Sequence, residues 1–285
     1  MDSLRGWKMR KYIFQTSLSP DKTSKPMILG NCKFCGKDRE LIKAHILPES
    51  LYPADERGNR MLLVLDGTGK TTSKKLPSGH YDNKLVCREC ENYFQEGDSY
   101  ANSLFVSGCG KGVVQSTKLA SGFQYENIDY KKLKLFFISL LWRAHATSLP
   151  AFNQVDIGAK FEAKAKDMIK RGAPGNADEF AVVIIKVAPG PFQKIGVSPT
   201  PRRHDRVRVY EFLFFGYLAY VKVDTRPYSD AFRRGQLAPD QALFLPEIGM
   251  EELLFKMYAV EAKRMERDTK IRIQNRMPRA KDREG

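Results

Sequence analysis

Apolar and polar positions change character about halfway along this chain of 285 residues. In the second half, Leu133, Phe136, Phe137, Leu140 and Leu141 recur at helical spacing, and Ile138 and Trp142 make the segment apolar nearly all round. That pattern predicts a buried helix over about Tyr130–Thr147, closed before Pro150. Phe161, Ala165, Met168 and Ile169 predict a second helix that ends at Gly172. The β-branched run Phe180–Val187 predicts an interior strand. Val207–Phe215 and Tyr217–Val223, separated by Gly216, predict two strands or one bent one. Met250, Leu253, Leu254, Met257 and Tyr258 begin a C-terminal helix that turns polar after Ala262.

The first half is less periodic. Ser17–Pro26 reads as a loop, and Met61–Leu65 as a short strand running into the turn-rich, basic stretch Asp66–Lys75. Gly67-Thr68-Gly69-Lys70-Thr71 lacks the spacing of a phosphate-binding loop, so no nucleotide site of that kind is expected. There is no internal repeat. The expected organisation is a lead-in over residues 1–29, a small module over 30–107, and an α+β domain over 108–285 with a buried helix and antiparallel strands.

Composition narrows the class. At 42% hydrophobic and 11% aromatic residues the chain is expected to be globular. The net charge is +15 and the isoelectric point about 9.5, which favours an anionic partner, nucleic acid before membrane. The apolar stretch Leu135–Trp142 is interrupted by Ser139 and falls far short of the roughly 20 residues of a membrane span. Residues 1–29 hold no apolar core of signal-peptide length, so a cytoplasmic location is expected.

Five cysteines fit a reducing compartment. Four of them form Cys32-Lys33-Phe34-Cys35 and Cys87-Arg88-Glu89-Cys90. Each C-x-x-C spacing lets two thiolates grip one tetrahedral zinc, and two such pairs complete a closed structural Zn²⁺ site. The long separation between the pairs does not forbid this, because the metal joins distant segments and offsets the loop-closure entropy. Cys109, between Gly108 and Gly110, is left over as a free thiol.

Between the pairs lies Leu41-Ile42-Lys43-Ala44-His45-Ile46-Leu47-Pro48-Glu49-Ser50-Leu51, and Lys84-Leu85-Val86 leads into the second pair, followed by Glu91-Asn92-Tyr93-Phe94. The order knuckle, histidine box, second knuckle opening a helix resembles the zinc-bearing branch of the HNH (ββα-metal, treble-clef) endonucleases over residues 30–106. The resemblance implies metal-dependent hydrolysis of phosphodiester bonds, DNA before RNA, in a setting such as bacterial phage defence or a mobile element. It implies His45 as general base on water, oriented by Asp82 or Asn83, and a catalytic Mg²⁺ or Mn²⁺ held by Glu91. Asp98 would add a carboxylate further along the helix, and His80 is a further candidate ligand.

The chain departs from the family pattern at two places. Ala44 stands where an acidic residue or histidine precedes the base, and Glu91 where His or Asn follows the last cysteine. An alternative reading therefore stands beside the first: a catalytically inactive zinc module that binds nucleic acid or a protein. Each candidate also has a structural role to weigh: His45 as a hairpin histidine, Glu91 as a carboxylate at a helix N-terminus, His80 as a surface-loop residue, His145 as a core histidine and His204 as a solvated one. Lys33, Lys43, Lys74, Lys75 and Arg88 are the candidate phosphate contacts, with Lys37, Arg39 and Lys70 nearby. Arg202, Arg203, Arg206 and Arg208 form a second basic cluster. The C-terminal domain is the expected surface for a protein partner or a second copy of the chain.

Overall fold

The computed structural model describes residues 28–52, 62–65, 74–76, 79–106, 114–190, 195–249 and 251–252. Cys109 and Lys70 lie outside the described residues, as do the side chains of Lys74 and Lys75. The helix expected from Met250 onward also falls outside them, apart from Glu251 and Glu252.

The chain begins with a hairpin, β1 (Ile28–Asn31) against β2 (Asp38–Leu41), whose turn carries the first cysteine pair. A second, two-residue hairpin pairs β3 (Ala44–His45) with β6 (Tyr81–Asp82). Between its arms run β4 (Leu62–Leu65) and β5 (Lys74–Leu76), which leave the hairpin and join a different sheet. Helix α1 (Arg88–Phe105) opens directly on the second cysteine pair.

That different sheet has nine strands among the described residues. The rest are β7 (Gln115–Leu119), β8 (Gly122–Glu126), β9 (Val182–Val187), β10 (Ile195–His204), β11 (Val207–Phe214), β12 (Tyr217–Lys222) and β13 (Leu243–Ile248). Their order is β5-β4-β10-β11-β12-β9-β13-β8-β7. Neighbours are antiparallel except at β4/β10 and β9/β13, which are parallel. The chain is thus mixed α and β, and its strands are not all antiparallel.

The predicted buried helix is α2 (Tyr130–Ala146). It starts at Asp129, whose carboxylate accepts from the Lys132 amide at 2.9 Å. Its apolar circumference has a physical reason, because it packs on three sides. Leu133, Phe136, Phe137, Leu140 and Leu141 are all buried. They share one core with Tyr210, Phe212 and Phe214 of β11 and with Tyr217, Ala219 and Val221 of β12. The alternate residues Val207, Val209, Leu213, Leu218 and Tyr220 face the other side of the sheet and form a separate cluster. Helix α3 (Ala159–Arg171) lies against α2 and ends at Gly172, in the left-handed conformation with φ 60°, as predicted. Helix α1 crosses α2 at Gly97, where a Cβ would stand 3.1 Å from the Phe136 nitrogen.

The same core also holds Cys32, Phe34, Cys87, Cys90 and Phe94. Phe34, inside the first cysteine pair, sets its ring edge against Trp142 of α2 at 5.0 Å and against Phe94 of α1 at 5.7 Å. Near the start of the expected second domain, the β7–β8 hairpin forms one end of the sheet.

Candidate metal centre and histidine site

Tight turn chemistry builds the cysteine centre. Gly36, at φ 72°, lets the chain reverse after Cys35. Its amide donates to the Cys32 carbonyl at 2.7 Å, and the Cys32 amide donates to the Lys37 carbonyl at 2.9 Å. Cys87 caps α1 and Cys90 sits one turn further in. Amides of Lys33 and Ile42 donate to the carbonyls of Leu85 and Val86 at 3.0 Å each, which sews the two halves together. All four sulfurs then lie within 4.8 Å of one another.

Three of the four cysteines are buried and Cys35 is exposed. Burial alone would raise the Cys32 thiol, but amides of Cys35, Cys87 and Phe34 aim at its sulfur and bring it down to about 7. Burial pushes Cys87 and Cys90 up. One thiolate held by amides beside buried thiols suits a cation that takes up the remaining charge. The four cysteines therefore could hold a metal ion.

His45 lies on the next hairpin, and strand alternation decides what it meets. Its cross-strand partner is Tyr81, whose ring stands 6.1 Å away on the same face. Lys43 lies over that ring at 4.2 Å. Glu49, in the short 3-10 turn Glu49–Leu51, brings a carboxylate oxygen 3.4 Å from His45 Nε2. Ala44 and Asp82 pair on the opposite, buried face. An acidic residue at position 44 would therefore point into the core rather than toward the His45 ring.

Asp82 pairs with Ala44 on the face of the hairpin opposite His45. Its two oxygens accept from the Lys84 amide and the Thr147 hydroxyl at 2.7 Å each, so it closes a turn and ties the hairpin to the end of α2. Asn83 is exposed. His80 is half-buried with its ring edge on Phe152 at 5.2 Å, and burial lowers its pKa.

What α1 brings up to Arg143, the residue that holds the His45 carbonyl, is acidic. Glu91 is half-buried, and its Oε2 is inaccessible with no hydrogen-bond partner among the described residues. Burial raises its pKa, Arg143 opposes the rise, and Asp98 adds to it. Asp98 is bound by both terminal nitrogens of Arg143 at 2.8 and 3.0 Å. Arg143 also donates to the His45 carbonyl at 3.1 Å. Its two remaining donors go to the Ser139 carbonyl and hydroxyl at 3.4 and 3.2 Å, so all five are used. A fully buried guanidinium thus locks the His45 backbone to α1 and α2.

Among the described residues, the four cysteines are the one group of three or more His, Cys, Asp or Glu placed to share a metal. His45, His80 and Glu91 do not form a second such group. Arg143 and Glu49 are the site residues that sequence reasoning missed. The available signal for Arg143 was a guanidinium directly after the apolar run Leu135–Trp142 of a buried helix, where it must find a partner inside.

The basic candidates separate by environment. The Lys33 ammonium is committed to the Ala146 carbonyl at 2.7 Å, where it caps the C-terminus of α2. Lys43 and Arg88 are exposed. Arg39 pairs with Glu89. In the second cluster, Arg208 holds the carbonyls of Val223 and Ile157 at 3.1 and 3.0 Å, and Arg202 lies 3.6 Å from Glu211. His145 meets the Val155 carbonyl and Ile157 amide through Nδ1, as a packed histidine does. His204 is not solvated as expected: its ring packs against Tyr220 at 4.8 Å and Phe232 at 5.0 Å, because it lies at the end of β10 under α4 (Asp230–Arg234).

No helix among the described residues is long and apolar enough to cross a membrane. Comparison with protein-family models, with curated proteins and with solved structures gives no match.

Proposed function

We propose that this protein is an HNH-like nuclease that hydrolyses phosphodiester bonds of DNA, built on a treble-clef scaffold with structural zinc. The observation that carries the reading is the placement of His45. It stands on a hairpin between two cysteine knuckles, its backbone is fixed by a buried arginine, and the first turn of α1 presents Glu91 beside the same arginine. A neutral imidazole suits general-base work on water near pH 7.

Four cysteine sulfurs suit zinc, whose Zn–S length of about 2.3 Å puts sulfurs about 3.8 Å apart in a tetrahedron. For the catalytic Mg²⁺ or Mn²⁺, the orphaned buried oxygen of Glu91 is the fitting donor. Magnesium typically takes one or two carboxylates and completes its shell with water and substrate phosphate, so a full protein cage is not required. When bound, such a cation supplies Lewis-acid stabilisation of phosphate charge. Lys43 and Arg88 are placed to neutralise neighbouring phosphates.

The second reading, a zinc module that binds nucleic acid or protein without cutting, is favoured by the lack of a second three-ligand group among the described residues. Incubating supercoiled plasmid with the protein and Mg²⁺ or Mn²⁺ separates the two. The nuclease reading expects nicking that His45→Ala removes while folding and DNA retention in a gel-shift assay persist. Intact plasmid with both proteins, across both metals, overturns it, and retention without cleavage supports the binding module.

A further inference from the structure

Away from His45, a cavity of about 820 Å³ opens where β12 leaves the sheet and β9 enters it. Its walls come from α3, the loop 176–180, the segment after β12, and α4 with the residue pair that follows it. That volume is the size that holds a ligand of a few hundred daltons.

The charges around it do not cancel. Lys164 pairs with Glu179, and Asp224 pairs with Arg226. That leaves Lys160, Lys222 and Arg233 against Asp178. Arg233 has only a distant contact with Asp230, at 4.0 Å.

Lys222 is the unusual member. It is 2% exposed, yet the Arg226 carbonyl at 3.0 Å is the one hydrogen-bond acceptor its ammonium has among the described residues. The Tyr228 ring lies 5.4 Å away, and the carboxylates of Asp178 and Asp224 act on it through charge without a hydrogen bond among the described residues. A buried ammonium with two donors unspent is costly unless something else binds them. Gln236, on the same wall, likewise keeps a buried Oε1 without a hydrogen-bond partner among the described residues.

The facing wall is stiff. Asn176 Oδ1 accepts from the amides of Asp178 and Glu179, and Glu179 Oε2 accepts from the Asn176 amide. From behind, the buried Lys134 ammonium donates to the Asn176 and Ala177 carbonyls. Phe180 is held at φ 45°, a conformation that persists in a non-glycine residue only where its surroundings impose it. Phe161 and Phe180, with ring centroids 5.8 Å apart, supply an apolar surface at the same wall.

We propose that this cavity is a binding site for a small phosphate monoester of mononucleotide size. The dianionic head is met by Lys222, Lys160 and Arg233, and the organic body lies along Phe161 and Pro227. Three cations against one carboxylate favour a dianion over a single carboxylate, and a phosphate offers the several acceptors that the buried ammonium needs. The inference is independent of the nuclease reading.

Thermal denaturation of the full chain, with AMP, inorganic phosphate or adenosine added at millimolar concentration, tests it. The expected result is a rise in Tm with AMP, a smaller rise with phosphate and none with adenosine. Lys222→Met keeps the side-chain volume and is expected to weaken AMP binding about tenfold or more in a calorimetric titration. Lys160→Gln, at an exposed position that does not endanger folding, is expected to weaken it less. A Tm unmoved by AMP and phosphate overturns the site. So does equal stabilisation by adenosine, or AMP affinity unchanged in both variants.

Discussion

Arg143 shows how one residue sets a local hierarchy. Its guanidinium is fully buried and all five donors are satisfied, with Asp98 as the only counter-ion bonded to it among the described residues. Removing Asp98 strands a charge in the core, whereas removing both groups does not. Asp98→Ala is therefore expected to cost about 3–5 kcal/mol in urea unfolding, and the double variant Asp98→Ala, Arg143→Met less than the sum of the single losses. Simple additivity would show that the pair is not coupled.

Lys134 makes a different prediction at the same scale. Burial pulls its pKa from the ordinary 10.5 to about 7, against the pull of Glu179 and Asp178. A base whose folded pKa is depressed binds fewer protons folded than unfolded, so stability rises as pH climbs from about 7 to about 10.5. Unfolding measured across that range is expected to show the rise in the native protein and a flatter profile in Lys134→Met. Parallel profiles would remove Lys134 as its source.

At the scale of elements, two glycines govern how parts meet. Gly216 ends the β11–β12 turn at φ 84°, after Phe215 at φ 48°. Two successive positive angles make the tight hairpin turn whose twist matches the strands. Phe215 accepts the strain because its ring packs on Tyr52 at 5.3 Å, a contact from the histidine-bearing half of the chain. Gly216→Ala is expected to cost about 1 kcal/mol or more in chemical denaturation, because a Cβ opposes that angle. Unchanged stability would mean that the turn relaxes freely. Gly97, by contrast, serves close approach: without a Cβ, α1 comes near enough to α2 for Asp98 to reach Arg143.

At the scale of the whole molecule, the cysteine knuckles and the large sheet share one core. Phe34, Phe94 and Trp142 bridge them, and β4 and β5 extend the sheet from within the histidine hairpin. If the four cysteines hold a metal, its loss is expected to weaken more than the knuckles. Cys87→Ser, or treatment with a strong chelator, is expected to lower the single thermal transition seen by both near-ultraviolet and far-ultraviolet circular dichroism. Two separate transitions, with the sheet unaffected, would show that the parts fold apart.

Much was legible in advance where the signal is local. The cysteine spacing named the four residues whose sulfurs come close enough to share a metal, and a dense apolar stretch placed α2. Gly172 marked the end of α3, and runs of β-branched and aromatic residues marked β9, β11 and β12. Other elements carry little local signal. Strand β10 contains Pro199 and Pro201, which weaken any strand signal, yet a register shift between Val197 and Thr200 lets it pair. The β7–β8 hairpin is largely polar on its outer strand, and β3 and β6 are two residues each.

The sequence by itself determined which residues can grip a metal and which segments must be buried, because thiolate spacing and apolar periodicity act over a few residues. Only the tertiary structure decided that Asp82 turns away from His45, that Arg143 fixes the His45 backbone, and that Lys222 is buried at a cavity wall. Those outcomes depend on strand pairing and helix packing between distant segments. No local pattern encodes which face a hairpin turns inward, or which partner a buried charge will find.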